Sequence, residues 1–129
     1  MEGSISSRVG LGMRVHVTAT GFNLTPKLEK YVGTKISQLS HKMPQEFRAS
    51  AICEVRLTVK RKKGARPSTC RIRILVNNTE LNAEETTPHI YSSLDIASVH
   101  VGHQLRDYVA KHRRRRLEVV LRYFFRHRY

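Results

Sequence analysis

The chain has 129 residues, enough for one domain with a modest core and too few for two of ordinary size. Apolar residues make up 40%, which favours a folded chain, and no apolar run approaches the ~20 residues that a helical membrane span requires. Charge is the outlying quantity: 24 Lys plus Arg against 10 Asp plus Glu leave +14. Self-repulsion of that size is relieved by a polyanion, most commonly nucleic acid, alternatively an anionic membrane surface, and more distantly an acidic protein.

In chain order, the opening MEGSISSRVGLG has neither a secretory apolar region nor the Arg-rich amphipathic character of a transit peptide. It reads as a flexible leader over 1–12, with Met1 and Met13 both open as the start. MRVHVTATGF then alternates, with Met13, Val15, Val17 and Ala19 on one side and Arg14, His16, Thr18 and Thr20 on the other, which predicts a half-buried strand. Leu24, Leu28, Val32, Ile36, Leu39 and Met43 follow at helical spacing. Thr25 suits the N-cap and Pro26 the first helical position, where no amide hydrogen is needed, and the helix must have stopped by Pro44.

SAICEVRLTVKRK alternates again through Cys53, Val55, Leu57 and Val59, KKGARP is turn chemistry, and STCRIRILVN alternates through Cys70, Ile72, Ile74 and Val76. Asn77-Asn78 supplies a tight reversal into the short strand TELNAEE. A second Thr-Pro, Thr87-Pro88, introduces a helix whose apolar face is Ile90, Leu94, Ala97, Val101, Leu105 and Val109. The expected fold class is α+β, a single β-α-β-β-β-α domain over 13–116. Its four-stranded mixed sheet carries both helices on one face, and the first crossover makes the first two strands parallel. Cys53 and Cys70 do not make a disulfide framework; they read as buried thiols, which favours an intracellular address.

TPKLEKYVGTKISQL together with LNAEETTPHIYSSLDIASVHVGHQLRDYVAKH resembles the ribosome hibernation-promoting factors, also called ribosome-associated inhibitors. The resemblance rests on Thr25-Pro26, Leu28, Tyr31-Val32, Lys35, Ala83-Glu84, Tyr91, Asp95, Gln104-Leu105-Arg106 and Tyr108, in this order on this frame. It implies a non-enzymatic protein that binds the small ribosomal subunit between head and body. There it would overlap the decoding centre and the messenger and transfer RNA path, and hold idle ribosomes inactive and protected during starvation or dormancy. It further implies 16S-type rRNA and ribosomal proteins as partners, action as a monomer, and a bacterial-type cytoplasm, with an organelle left open. The chain departs from the family at Gly102 and Gly33, and at His100 and His103, where relatives often carry Lys or Arg. Thirteen residues after Arg116 do not amount to the dimerising domain of long members, so no pairing of ribosomes by that route is expected.

Independently of the resemblance, the basic residues form clusters suited to rRNA phosphates. Lys60, Arg61, Lys62, Lys63 and Arg66 lie on the hairpin turn with Gly64; His103, Arg106 and Lys111 lie on the second helix. Arg113, Arg114, Arg115 and Arg116 surround the helix end, where the planar guanidinium fork matches phosphate in two-point contact. Lys27, Lys30 and Lys35 add a thinner row on the first helix. The closing segment 117–129 is a basic-aromatic extension in which Leu117, Val120, Leu121, Phe124 and Phe125 fall at helical spacing, although EVVLRYFF also suits a strand. It can pack on the domain, adsorb to a membrane, or, the favoured reading, insert into the ribosome. In that reading Arg122 and Arg126 meet phosphates while Tyr123, Phe124, Phe125 or Tyr129 stack on bases.

No catalytic constellation emerges, and no cofactor or small-molecule substrate is expected. His100 and His103 lack a third ligand for a metal, Glu84 and Glu85 point to opposite strand faces, and Asp95 reads as a local cap or pair. The leading reading is a ribosome-binding translation inhibitor acting by occupancy. The alternatives are a generic double-stranded RNA-binding module, which shares three strands and two helices with this order, and a basic adaptor using the Phe124-Phe125 tail.

Overall fold

The structure, a computed structural model, describes residues 2–8 and 13–126, with side chains from 13 onward. In chain order the elements are β1 (Glu2–Arg8), β2 (Arg14–Thr20), α1 (Pro26–His41), α2 (Gln45–Arg48), β3 (Ile52–Val59), β4 (Ser68–Val76), β5 (Thr79–Thr87) and α3 (Ile90–Arg126). The strands pair in chain order. β2 and β3 are parallel across the α1 crossover, with Arg14 opposite Ile52 and Thr20 opposite Thr58. β3, β4 and β5 form an antiparallel meander. This is the expected mixed sheet of four strands, extended at one edge by β1, antiparallel to β2.

β1 corrects the flexible leader expected over 1–12, since Glu2–Arg8 is a strand; residues 9–12 lie outside the described residues. Its Ser-rich sequence has little strand propensity. The pairing comes instead from the open edge of β2, whose backbone donors and acceptors would otherwise face water. The one-turn α2 was also not foreseen, and it brings Phe47 into the core.

Alternation explains the burial. Met13, Val15 and Val17, then Cys53, Val55 and Leu57, then Cys70, Ile72, Ile74 and Val76 form one apolar layer beneath Leu28, Val32, Ile36 and Leu39 of α1 and Leu94, Ala97, Val101 and Leu105 of α3. Thr25 caps α1 by accepting the Leu28 amide at 3.2 Å, and Pro26 opens the helix. Both hairpins turn on two residues of positive φ, Lys63 (36°) with Gly64 (79°) and Asn77 (48°) with Asn78 (61°), which matches the right-handed twist of the strands. Gly21, at φ 85°, begins the crossover so close to β3 that a Cβ would lie 2.1 Å from the Val59 carbonyl oxygen. Only glycine fits there.

The two cysteines share the buried face but are offset along the strands, with Cys53 opposite Ile74 and Cys70 opposite Leu57. Both thiols are free, and burial pushes each up to about 12. They are packing residues.

This topology fixes where charge can go. β2 and β3 end at the side of the sheet where α1 and α3 begin, so the Lys63-Gly64 hairpin lies at that end. α3 then runs back along β4 and β5 toward the Asn77-Asn78 end. The nine residues of β4 set these ends roughly 30 Å apart.

Candidate nucleic-acid interface

α1 and α3 are locked side by side by a polar latch. The Tyr31 hydroxyl donates to Asp95 Oδ1 at 2.6 Å, and Lys35 Nζ lies 3.0 Å from the same oxygen. The Lys35 ammonium also stands 5.3 Å from the centre of the Tyr31 ring, and Tyr31 meets Tyr91 edge-on at 5.1 Å. Burial pushes the Asp95 carboxyl up, but the hydrogen bonds from Tyr31 and Lys35 and the Lys35 charge outweigh it, so the group sits below its ordinary value. The hydrogen bond to Asp95 raises Tyr31 above its usual value and, against burial, does the same for Lys35.

The latch revises two expectations. Asp95 does not pair locally: its partners are 60 and 64 residues away. Lys35, counted among the candidate RNA contacts, has its ammonium engaged by Asp95. Gly102 is the third surprise. It is buried where α3 crosses the end of α1, and a Cβ would sit 3.1 Å from Lys42 Nζ and 3.4 Å from Leu39 Cδ2. The glycine lets the two helices close up and lays Lys42 across α3. Gly33, by contrast, faces open space.

Across the sheet, the helix-free face neutralises itself. Arg56 pairs with Glu54 at 3.2 Å, and Arg73 with Glu80 at 2.7 Å and Glu54 at 4.0 Å. Arg71 donates to Asn82 at 3.4 Å and stands opposite Glu84 in the ladder. Four arginines, Arg14 included, therefore share that face with three of the chain's ten acidic residues. On the helix side Glu85 faces His100 at 3.3 Å, Asp95 holds Lys35, and Glu46 holds Arg116 at 3.4 Å.

What remains is an excess of cations on the helices and at the two ends of the sheet. Among the described residues no carboxylate lies within ion-pair distance of Lys30, Lys42, Arg106, Lys111, Arg113, Arg114 or Arg115. His103 and Arg106 touch through Nδ1 and a guanidinium nitrogen at 3.2 Å. Lys42, Arg106 and Arg113, with Val109 and Ala110, line a cleft between the end of α1 and α3. Lys42 was missed from sequence alone. Its signal was a cation at the helix C-cap, but its convergence with Arg106 and Arg113 depends on Gly102.

The structure does not gather the sequence-derived residues into one patch. Lys60, Lys62, Lys63 and Arg66 are exposed on the hairpin at one end, with Lys30 on the outer side of α1. Arg106, Lys111 and Arg113 to Arg116 crowd the other end, where α3 leaves the sheet. The last buried residue of α3 is Val109, and the helix runs unbroken through Arg116 to Arg126. Arg122, Tyr123, Phe124 and Arg126 therefore stand on a projecting helix: the strand alternative for this segment falls, and so does packing back on the domain, because Leu117 to Arg126 are exposed throughout.

Among the described residues no group of three His, Cys, Asp or Glu is placed to hold a metal, and no helix is long and apolar enough to cross a membrane. The described surface has separated cationic ends, a cationic helix side and a charge-paired sheet face.

Comparison with known proteins gives a consistent result. A family described as Sigma 54 modulation protein / S30EA ribosomal protein matches residues 15–113. Among solved structures, the N-terminal domain of Protein Y from Thermus thermophilus is similar at 20% identity and a TM-score of 0.56, over 70% of this chain and 93% of that one. A ribosomal subunit interface protein from Coxiella burnetii is similar at 15% identity and a TM-score of 0.58, over 74% and 97%. At these identities the likeness is one of fold. No curated protein matches the chain.

Proposed function

The chain belongs to the Sigma 54 modulation protein / S30EA ribosomal protein family, and from that premise we propose that it is a hibernation factor that silences ribosomes by occupancy. It would seat in the small-subunit cleft used by messenger and transfer RNA, as a monomer held by contacts to 16S-type rRNA and neighbouring ribosomal proteins. It would perform no chemistry of its own. Among the cationic residues, Lys30, Lys60, Lys62, Lys63, Arg66, His103, Arg106, Lys111 and Arg113 to Arg116 would meet phosphates, with Lys42 added and Lys35 reserved for the helix latch.

The observation that carries this reading is the partition of charge. Three of the ten acidic residues offset four arginines on the open sheet face and a fourth is held in the latch, so that face is nearly neutral and most of the net +14 lies on the helix side and at both ends. A surface evolved only for solubility would mix the two signs throughout.

Co-sedimentation with purified small ribosomal subunits tests the proposal. The protein should co-migrate at low salt and release steeply as salt rises, because each phosphate neutralised frees a counterion. Failure to co-migrate at low salt rejects it. Equal affinity for a plain RNA duplex would favour the generic double-stranded RNA-binding alternative instead.

A further inference from the structure

The projecting part of α3 carries an aliphatic row, Leu117, Val120 and Leu121, to which the ribosome reading assigns no contact. At about 100° per residue, Leu117, Val120, Leu121 and Phe124 fall within an arc of about 100°, and Arg115, Arg122 and Arg126 fall within about 40° on the opposite side. The apolar arc is turned about 90° around the helix from the side of α3 that buries Leu105 and Val109, and Arg116, on that buried side, reaches Glu46 of α2. Beyond Arg116 the sheet has ended, so the apolar arc overhangs open solvent: Leu117 is 58% exposed and Phe124 66%.

Candidate occupants differ in chemistry. A phosphate backbone meets the arginines but offers the aliphatic Leu117, Val120 and Leu121 no apolar surface to bury against. A second copy would bring together two helices that each carry seven Lys or Arg and one acidic residue over 110–126, so like charge opposes it. An anionic bilayer surface satisfies both features. Its acyl boundary takes the apolar arc, and its headgroups take the arginines, whose long stems reach outward from a helix lying in the interface. The helix is too short on apolar residues to cross, so it would lie in the plane of the surface.

We propose that residues 117–126 form an interfacial anchor that places this protein on anionic lipid membranes through Leu117, Val120, Leu121 and Phe124. This goes beyond ribosome occupancy and can be tested apart from it, because Leu117, Val120 and Leu121 are not among the residues assigned to rRNA.

The test is flotation of the full chain with vesicles of phosphatidylcholine containing about one-third phosphatidylglycerol, beside vesicles of phosphatidylcholine alone. The comparison protein is the triple variant Leu117→Ser, Val120→Ser, Leu121→Ser. All three side chains are exposed, so the fold is retained, which circular dichroism checks. The expected result is flotation with anionic vesicles only, with partitioning weakened on the order of a hundredfold in the triple variant. Small-subunit co-sedimentation should be unchanged by the three substitutions. Absence of flotation overturns the proposal, as does a triple variant that floats like the parent, which would show adsorption by charge alone. Self-association abolished by the three substitutions would assign the arc to a second copy, and loss of subunit binding would assign it to the ribosome; either overturns the proposal too.

Discussion

Replacing Tyr31 with Phe removes one oxygen from the α1–α3 latch and leaves the ring, with its edge-on contact to Tyr91, in place. A hydrogen bond to a charged acceptor contributes about 1.5–3 kcal/mol when water is excluded. Asp95 keeps 44% of its side chain exposed, so water and Lys35 take up much of the lost interaction, and the expected cost falls to about 1 kcal/mol. For a domain of this size that lowers Tm by about 3–6 °C. A double-mutant cycle with Asp95→Asn isolates the pair: each single change destabilises, and the double change costs less than their sum.

The pH dependence supplies an internal check. Asp95 is held below its ordinary value, so its contribution is full above about pH 4 and fades as the pH falls through the lower folded value. Tyr31 and Lys35 are raised, so their contributions are complete at neutral pH and disappear as the pH climbs past about 10. The gap between the parent and Tyr31→Phe should therefore be widest near neutrality and close in acid. Urea titration monitored by circular dichroism measures all of this. A Tyr31→Phe protein as stable as its parent at pH 7, or strictly additive changes in the cycle, would refute the latch.

Other changes test other parts of the molecule. Replacing Arg113 to Arg116 with Ala should flatten the dependence of log affinity on log salt for small subunits by up to about 3, read by co-sedimentation across a salt series; an unchanged slope would place that cluster off the RNA. Gly102→Ala should change stability little, because a helix-propensity gain of up to about 1 kcal/mol is offset by a Cβ pressed to 3.1 Å from Lys42 Nζ and 3.4 Å from the packed Leu39 Cδ2, whereas Gly102→Leu should destabilise by forcing α1 and α3 apart; thermal melts should place the Leu variant well below both the parent and the Ala variant. Gln104 clasps the free edge of β5, accepting from the Asn82 amide at 3.0 Å and donating to its carbonyl at 2.7 Å. Gln104→Ala should cost about 1–2 kcal/mol and speed hydrogen exchange at Asn82. Cys53 and Cys70, with thiols near 12 and buried, should resist aromatic disulfide reagents until the protein unfolds; rapid labelling of the native state would contradict their placement.

Much of this architecture could be read from spacing. Alternation through Val15 to Ala19, Cys53 to Val59 and Cys70 to Val76 marked three strands and their buried faces, and Thr25-Pro26 marked a helix start to the residue. The misses share one cause: they depend on contacts between residues far apart in sequence. β1 owes its pairing to a neighbour's open edge, Asp95 finds Tyr31 and Lys35 across two elements, and Gly102 makes sense only beside Leu39 and Lys42. The basic residues were legible individually but not as a surface. Only the parallel β2–β3 pairing reveals that the hairpin lysines and the helix-end arginines stand at opposite ends of the sheet.

That parallel pairing also sets an order of assembly. The β3–β4–β5 meander closes through two-residue turns, whereas the first β2–β3 partners, Arg14 and Ile52, are 38 positions apart. Bringing distant segments together costs chain entropy before any contact repays it, so the meander and α3 are expected to form the early scaffold and β2 to dock late. During synthesis, then, β2 leaves the exit tunnel well before β3 yet docks on it late. Stopped-flow refolding of Val17→Ala should show slowed folding only weakly and accelerated unfolding strongly, with the reverse for Ile72→Ala.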